Sequence, residues 1–166
     1  MDNGKMEDTR EFDYVIVGGG SAGCVLANRL SEESGNRVCL IEAGPRDRSP
    51  LIHVPAGVVT LMHNRIFNWR FDTVTQDDAG GRAIYIPRGR TLGGSSSING
   101  MVYMRGHPGD YDEWAEAGNL GWSYAEVLPY FCRSENNELL GDSPFHGTGG
   151  PLNVSDHGRL NPITTA

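Results

Sequence analysis

Residues 18 to 23 read Gly-Gly-Gly-Ser-Ala-Gly, and nineteen residues past Gly23 stands Glu42, followed by Ala43. The six residues satisfy G-x-G-x-x-G, a spacing whose chemistry is the holding of a pyrophosphate. Gly18 permits a tight turn, and Gly20 removes the side chain where phosphate must approach the backbone. Gly23 lets a helix pack closely on a strand. The amides of Gly20, Ser21 and Ala22 would face the phosphates, backed by a helix dipole of about half a charge. Glu42, near the usual offset of about twenty residues, can accept hydrogen bonds from an adenosine ribose and would repel a 2′-phosphate. Together with Ala43 it closes the nucleotide end of the site. These residues point to a dinucleotide and leave NAD and FAD both open.

The motif needs a strand before it and a helix after it, and both are legible. Tyr14 to Val17 form a short β-branched run stopped by glycines, which reads as a buried strand. From Ser21 the pattern turns helical: Val25, Leu26 and Leu30 share one face, and Gly35 is placed to cap the helix end. Arg37 to Ile41 make a second apolar strand ending at Glu42. Residues 13 to 44 are therefore one βαβ unit with a right-handed crossover.

The rest of the chain is turn-rich, with 23 glycines and 9 prolines in 166 residues, yet three tryptophans and six tyrosines argue for folded structure. Leu51 to His63 read as a short helix or a pair broken at Pro55. The segments FDTVT and RAIYIPRG, either side of DDAGG, read as a hairpin. A short helix is expected around Tyr111 to Ala117. A second should run from Ser123, with Glu126 three residues on as a capping box, toward Arg133. FHGTGGPLNVSD reads as a turn between extended pieces, and the final NPITTA as the start of a helix. A net charge of −7 disfavours nucleic acid and anionic membranes as partners. No apolar run approaches the ~20 residues that span a bilayer. The acidic, polar start is unlike a secretory signal, so a cytoplasmic setting is expected. Cys24, Cys39 and Cys132 make no CxxC pair, so neither a metal site nor a disulfide framework is expected. Cys24 and Cys39 read as small core residues.

Residues 88 to 106, RGRTLGGSSSINGMVYMRG, separate the two cofactors. The run from Gly89 through Leu92, Gly93, Gly94 and Ser95 to Asn99, continuing to Tyr103, Gly106 and Asp112, resembles the first signature of the glucose–methanol–choline (GMC) flavin oxidoreductases. The resemblance extends to FNWRFDTVTQ, GGRAIYIPRGR, DYDEWAEAGNLGWSYAEVLPYFCRSE and FHGTGGPLNV. All are similar to the choline dehydrogenase and alcohol dehydrogenase branch. It implies an α/β fold: an FAD-binding, Rossmann-like βαβ unit with irregular and hairpin extensions, the N-terminal part of a two-domain protein. It further implies a tail over 1–11, an FAD-binding region over 12–106, and a helical and loop segment over 107–166 leading toward a substrate domain.

By the same resemblance, Gly93, Gly94 and Ser95 wrap the FAD pyrophosphate and the flavin edge, with the neighbouring serines adding donors. Asn99, Gly100, Met101 and Val102 run along the isoalloxazine, and Trp69 and Arg88 also line the cofactor. Some members carry a histidine before the asparagine, bonded covalently to the flavin. Here Ile98 stands there, so FAD is expected to be held non-covalently. The implied activity is oxidation of a small alcohol by hydride transfer to flavin N5, with a histidine accepting the hydroxyl proton. That histidine belongs near the C-terminal end of longer relatives. None of His53, His63, His107, His146 and His157 is assigned the role, and this chain is expected to be an N-terminal piece, inactive alone. The alcohol and the electron acceptor are set by parts of the family fold outside these residues. Two other readings remain beside it: a non-catalytic FAD-binding or interaction module, and an NAD-binding Rossmann protein, which gives no reason for GGSSSIN.

Overall fold

The structure, a computed structural model, describes residues 10–141 and 143–156. The NPITTA helix expectation, His157 and most of the N-terminal tail lie outside them. The chain divides into two compact units, Met1–Val102 and Tyr103–Ala166.

The first unit is built on the βαβ motif. Strand β1 (Tyr14–Val17) pairs in parallel with β2 (Val38–Ile41), Tyr14 opposite Val38 and Val17 opposite Ile41, and α1 (Ser21–Leu30) makes the crossover. Gly35 does not cap α1. The helix closes at Leu30 with Ser31 as its C-cap. Ser31 Oγ donates to Asn28 O (3.1 Å) and Asn36 Nδ2 to Leu30 O (2.9 Å), so side chains satisfy last-turn carbonyls that the backbone amides of a left-handed glycine cap would otherwise meet.

The strands are not buried as their composition suggested. Val15, Val17 and Ile41 are exposed, Val17 by 84%. A parallel sheet needs cover on both faces, and two strands with one helix cannot supply it. Cys24 and Cys39 are half-buried rather than core.

Beyond β2 come α2 (Pro50–His53), a 3₁₀ turn at Pro55–Gly57 and α3 (Val58–Leu61), the pair broken at Pro55 as its sequence suggests. The hairpin forms from β3 (Phe71–Asp72) and β4 (Tyr85–Ile86), with Gly80 and Gly81 at positive φ in its turn. Among the described residues, the buried apolar side chains are Leu61 and Ile98, at 1% and 5% exposure. They are joined by Asn68, which is also buried and fully used. Its Nδ2 donates to Met62 O (2.7 Å) and Tyr85 Oη (3.2 Å). Its Oδ1 accepts from the amides of Arg70 and Arg88, both at 2.9 Å. One carboxamide thus ties the chain before the hairpin to the chain after it.

In the second unit, α4 (Pro108–Glu116) is opened by His107, whose Nδ1 accepts from Gly109 N at 3.1 Å. Helix α5 (Tyr124–Ser134) starts at the expected capping box, with Glu126 Oε2 accepting from Ser123 N (3.1 Å) and Oγ (2.6 Å). Tyr111 meets Trp114, Tyr124 and Phe131 edge-on or tilted, at centroid separations of 5.4, 6.2 and 5.7 Å. Strand β5 (Glu135–Asn137) pairs in parallel with β6 (Leu152–Val154).

Glu135 is fully buried and accepts from four directions. Arg105 Nη2 forms an ion pair with it. Asn137 Nδ2 lies at 2.8 Å, His146 Nδ1 at 2.9 Å and Gly147 N at 3.2 Å. Burial alone would raise this carboxyl. The hydrogen bonds from Asn137, His146 and Gly147, with the charge of Arg105, outweigh burial and hold it below the ordinary glutamate range. A depressed folded pKa stabilises the unit fully above the unfolded value of about 4.3, and that contribution is lost as pH falls through the lower folded value. Acid unfolding followed by tryptophan fluorescence should show this slope. Glu135→Gln should remove it and cost about 3 kcal/mol at neutral pH, because Arg105 is left without its counter-charge.

Candidate functional site: a nucleotide cleft at the glycine turn

Gly18 turns the chain out of β1 at φ +100°. A Cβ on Gly23 would lie 1.9 Å from Gly18 O, so helix and turn meet backbone to backbone. A Cβ on Gly20 would meet nothing within 4 Å: the space in front of it is open. Gly20 is the N-cap of α1, and no side chain caps the helix, so its first amides carry no protein partner. Open space and free amides together form a cradle for an anion.

Glu42 is fixed rather than merely nearby. Gly19 N–H donates to its Oε2 at 2.7 Å and Gly44 N–H to its Oε1 at 2.9 Å. A carboxylate accepts about four hydrogen bonds, so two positions remain for ligand hydroxyls.

The segment of the small residues docks directly on this turn. Gly93 N donates to Gly19 O at 2.7 Å, and Gly20 and Gly93 form a parallel bridge. A Cβ on Gly94 would stand 2.7 Å from Gly20 Cα, one on Gly44 2.0 Å from Arg90 O, and one on Gly89 2.1 Å from Gly94 O. Three loops therefore approach at distances only glycine allows. Much of the glycine content serves loop against loop, and only part of it serves access to an anion. The serines also divide. Ser96 Oγ donates to Gly93 O (2.6 Å) and Ser97 Oγ to Leu92 O (2.8 Å), bracing the 3₁₀ turn at Gly94–Ser97. Their donors are not available to a ligand, contrary to expectation. Ser95 Oγ accepts from Gly89 N at 3.1 Å and keeps its own proton for a further acceptor.

One cleft of about 360 Å³ brings together Gly20, Ser21, Ala22, Gly23, Glu42, Ala43, Trp69, Arg88, Gly94 and Ser95, together with Gly89, which opens the signature run but was given no role at the cofactor. Trp69 and Arg88 reach it because Trp69 N donates to Arg88 O (2.8 Å) beside the Asn68 bonds. Asn68 was missed, since a single asparagine between aromatic residues carries no signal of its long-range bonds. Gly18 and Gly93 are not among the cleft's lining residues. Asn99 and Met101 lie instead on a small separate recess with Leu51, Val58, Ser96 and Ile98, while Gly100 and Val102 are exposed. Met101 takes φ +57°, with its amide donating to Asn99 Oδ1 at 2.9 Å. A left-handed residue of this kind costs about 1–2 kcal/mol and clusters at functional sites.

The described histidines have structural partners. His53 Nε2 lies 2.7 Å from Asp47 O, His63 stacks on Tyr85 at 5.5 Å, His107 caps α4 and His146 binds Glu135. Among the described residues no group of His, Cys, Asp and Glu could hold a metal, and no helix is long and apolar enough to cross a membrane.

Comparison with known proteins accords with this arrangement. Residues 12–165 match GMC oxidoreductase. The chain is 52% identical over 153 residues to an alcohol dehydrogenase [acceptor] of Pseudomonas putida, covering 92% of this chain and 28% of that one. It is 48% identical over 167 residues to the mitochondrial choline dehydrogenase of Homo sapiens, covering 96% and 28%. Pyridoxine 4-oxidase of Mesorbium loti shares the fold with a TM-score of 0.78 at 46% identity, over 86% of this chain and 28% of that structure. The chain thus spans a little over a quarter of the length of the relatives it matches. It belongs to the GMC oxidoreductase family, and corresponds to its N-terminal region.

Proposed function

We propose that this chain is the FAD-binding portion of an enzyme that oxidises a small alcohol, the cofactor being held non-covalently. The observation that carries the reading is the cleft itself, in which the open, uncapped N-terminus of α1, the oriented Glu42 and the signature residues Gly94 and Ser95 share one wall. The amides of Gly20, Ser21 and Ala22 would receive the pyrophosphate, where aligned backbone dipoles favour negative charge. Glu42 would accept from the adenosine ribose, already aimed by Gly19 and Gly44. Trp69 offers an aromatic face beside it, and Arg88 a cation near the phosphates.

Bound there, FAD supplies a hydride acceptor for the carbinol carbon of an alcohol. The chain's own contribution is to bind and orient. Gly94 and Ser95, with Gly93 beside them, would meet the phosphates, and Asn99 to Val102, which do not line this cleft, would offer a strip to the flavin beyond it. Asn99 holds the Met101 amide direction through its side-chain bond. No described histidine lines the cleft, so none is assigned the proton of the alcohol. The chain alone should therefore bind flavin without turning over alcohols.

Ile98 supports the non-covalent reading, because its side chain is hydrocarbon and is buried against Leu51, Val58 and Leu61. Acid precipitation of the flavin-loaded protein should leave all yellow colour in the supernatant. Colour retained in the pellet would contradict a non-covalent site, and a folded protein that never takes up flavin would contradict the whole reading.

A further inference from the structure

Where the signature run passes from its serines to its apolar strip, a glycine directly follows an asparagine, at Asn99–Gly100. Asparagine is a thermolabile residue because the next amide nitrogen can attack its side-chain carbonyl carbon. The attack needs a nitrogen that is neither crowded nor hydrogen-bonded. Both residues are exposed, and a Cβ on Gly100 would meet nothing within 4 Å, so the space around it is open. Among the described residues the Gly100 amide has no hydrogen-bond acceptor. Asn99 Oδ1 accepts from Met101 N at 2.9 Å, a bond that spans the Gly100 peptide and turns the carboxamide forward over it. A donor on that oxygen also supports the negative charge that develops there when the carbonyl carbon is attacked.

None of the other described asparagines is followed by glycine. Asn68 and Asn137 are buried besides, and after Asn36 the next amide is tied to Asp13 Oδ2 at 2.7 Å. Asn64 is the nearest comparison. Its Oδ1 likewise accepts from amides ahead of it, Ile66 N at 2.8 Å and Phe67 N at 3.2 Å, but Arg65 stands where Asn99 has a glycine. The second Asn-Gly pair of the sequence, Asn3–Gly4, lies outside the described residues.

We propose that Asn99 is a site of spontaneous modification, closing with Gly100 to a succinimide that opens to aspartate or isoaspartate. The Gly100 nitrogen gives its proton to solvent and bonds to Asn99 Cγ, and the Cγ–Nδ2 bond breaks to release ammonia. Water then adds to either ring carbonyl and cleaves its bond to nitrogen. The net exchange is water in and ammonia out, with nothing oxidised or reduced. Either product puts a carboxylate at the head of the strip. Isoaspartate also lengthens the main chain by a methylene and removes the side-chain oxygen that accepts from Met101, the residue held at φ +57°. The conversion itself is independent of the cofactor; its effect on flavin rests on the reading proposed above.

The test ages the flavin-free full chain in mildly alkaline buffer made with heavy-oxygen water and maps its peptides by mass spectrometry. The peptide carrying Asn99 should convert to labelled acid, part of it isoaspartate, while the Asn64 peptide stays an amide. Gly100→Ala should slow the conversion by at least about tenfold, because a Cβ beside the nitrogen restricts both its approach and its backbone. That variant should fold like the parent, since Gly100 is not left-handed and the added methyl would meet nothing. An Asn99 peptide that remains an amide, or that converts equally fast in Gly100→Ala, would overturn the site. So would conversion in urea but not in the folded chain. FAD titration of the separated acidic form is a distinct readout, and an affinity at least about tenfold below that of the unmodified chain is expected. Equal affinity would count against the flavin strip, and failure of both forms to bind would count against the cleft; the labelled conversion at Asn99 would stand in either case.

Discussion

Gly20→Ala should fold as stably as the parent and bind FAD at least about thirtyfold more weakly, whereas Gly23→Ala should lose stability and binding together. The two glycines stand three residues apart in one motif, and the structure gives them different work. At Gly20 the backbone has φ −76°, open to any residue, and an added methyl group would meet no protein atom. Its cost falls only on a ligand that must come within van der Waals distance of the backbone. At Gly23 the methyl would stand 1.9 Å from Gly18 O, which requires helix and turn to separate by roughly an ångström or more. Overpacking of that kind costs about 1–3 kcal/mol, and it also displaces the amides that form the cradle. Thermal unfolding and flavin fluorescence on the two variants separate the roles. A Gly20→Ala protein that binds FAD like the parent would mean the open space is not where the pyrophosphate lies.

Glu42→Ala should be the most damaging change to the nucleotide end. It removes the acceptor for ribose hydroxyls and leaves the Gly19 and Gly44 amides without a partner in a half-buried setting. Each such loss is worth about 1–3 kcal/mol, so FAD affinity should fall by about two orders of magnitude and stability by about 2 kcal/mol. Glu42→Gln keeps one acceptor oxygen but can satisfy only one of the two amides. It should fall between the parent and Glu42→Ala in both measurements. A Glu42→Ala protein of parental stability would show that the two amide bonds add nothing.

The nucleotide half of the site was legible because its signals are local. Gly18, Gly20, Gly23 and Glu42 sit in the strand, turn and helix that their spacing implies. Trp69 and Arg88 were reachable only through family resemblance, and the structure joins them to the cleft through Asn68, whose partners run from Met62 to Arg88, up to twenty residues away. No periodicity encodes such a bond. The serine run misled in part: Ser96 and Ser97 look like ligand donors in sequence and prove to brace their own turn. Strand β5 was hidden because Glu-Asn-Asn has little β propensity. It is held by the satisfaction of Glu135 rather than by apolar packing. The apolar strands β1 and β2 were identified correctly as strands, but their burial depends on cover that two strands and a helix do not provide.

The most direct test is calorimetric titration of the flavin-free full chain with FAD and, separately, with NAD. One saturable FAD site per chain, weakened in Gly20→Ala and Glu42→Ala and not matched by NAD, is the result expected. A folded chain that binds neither dinucleotide, or that binds NAD in preference to FAD, would contradict the assignment of this cleft to a flavin.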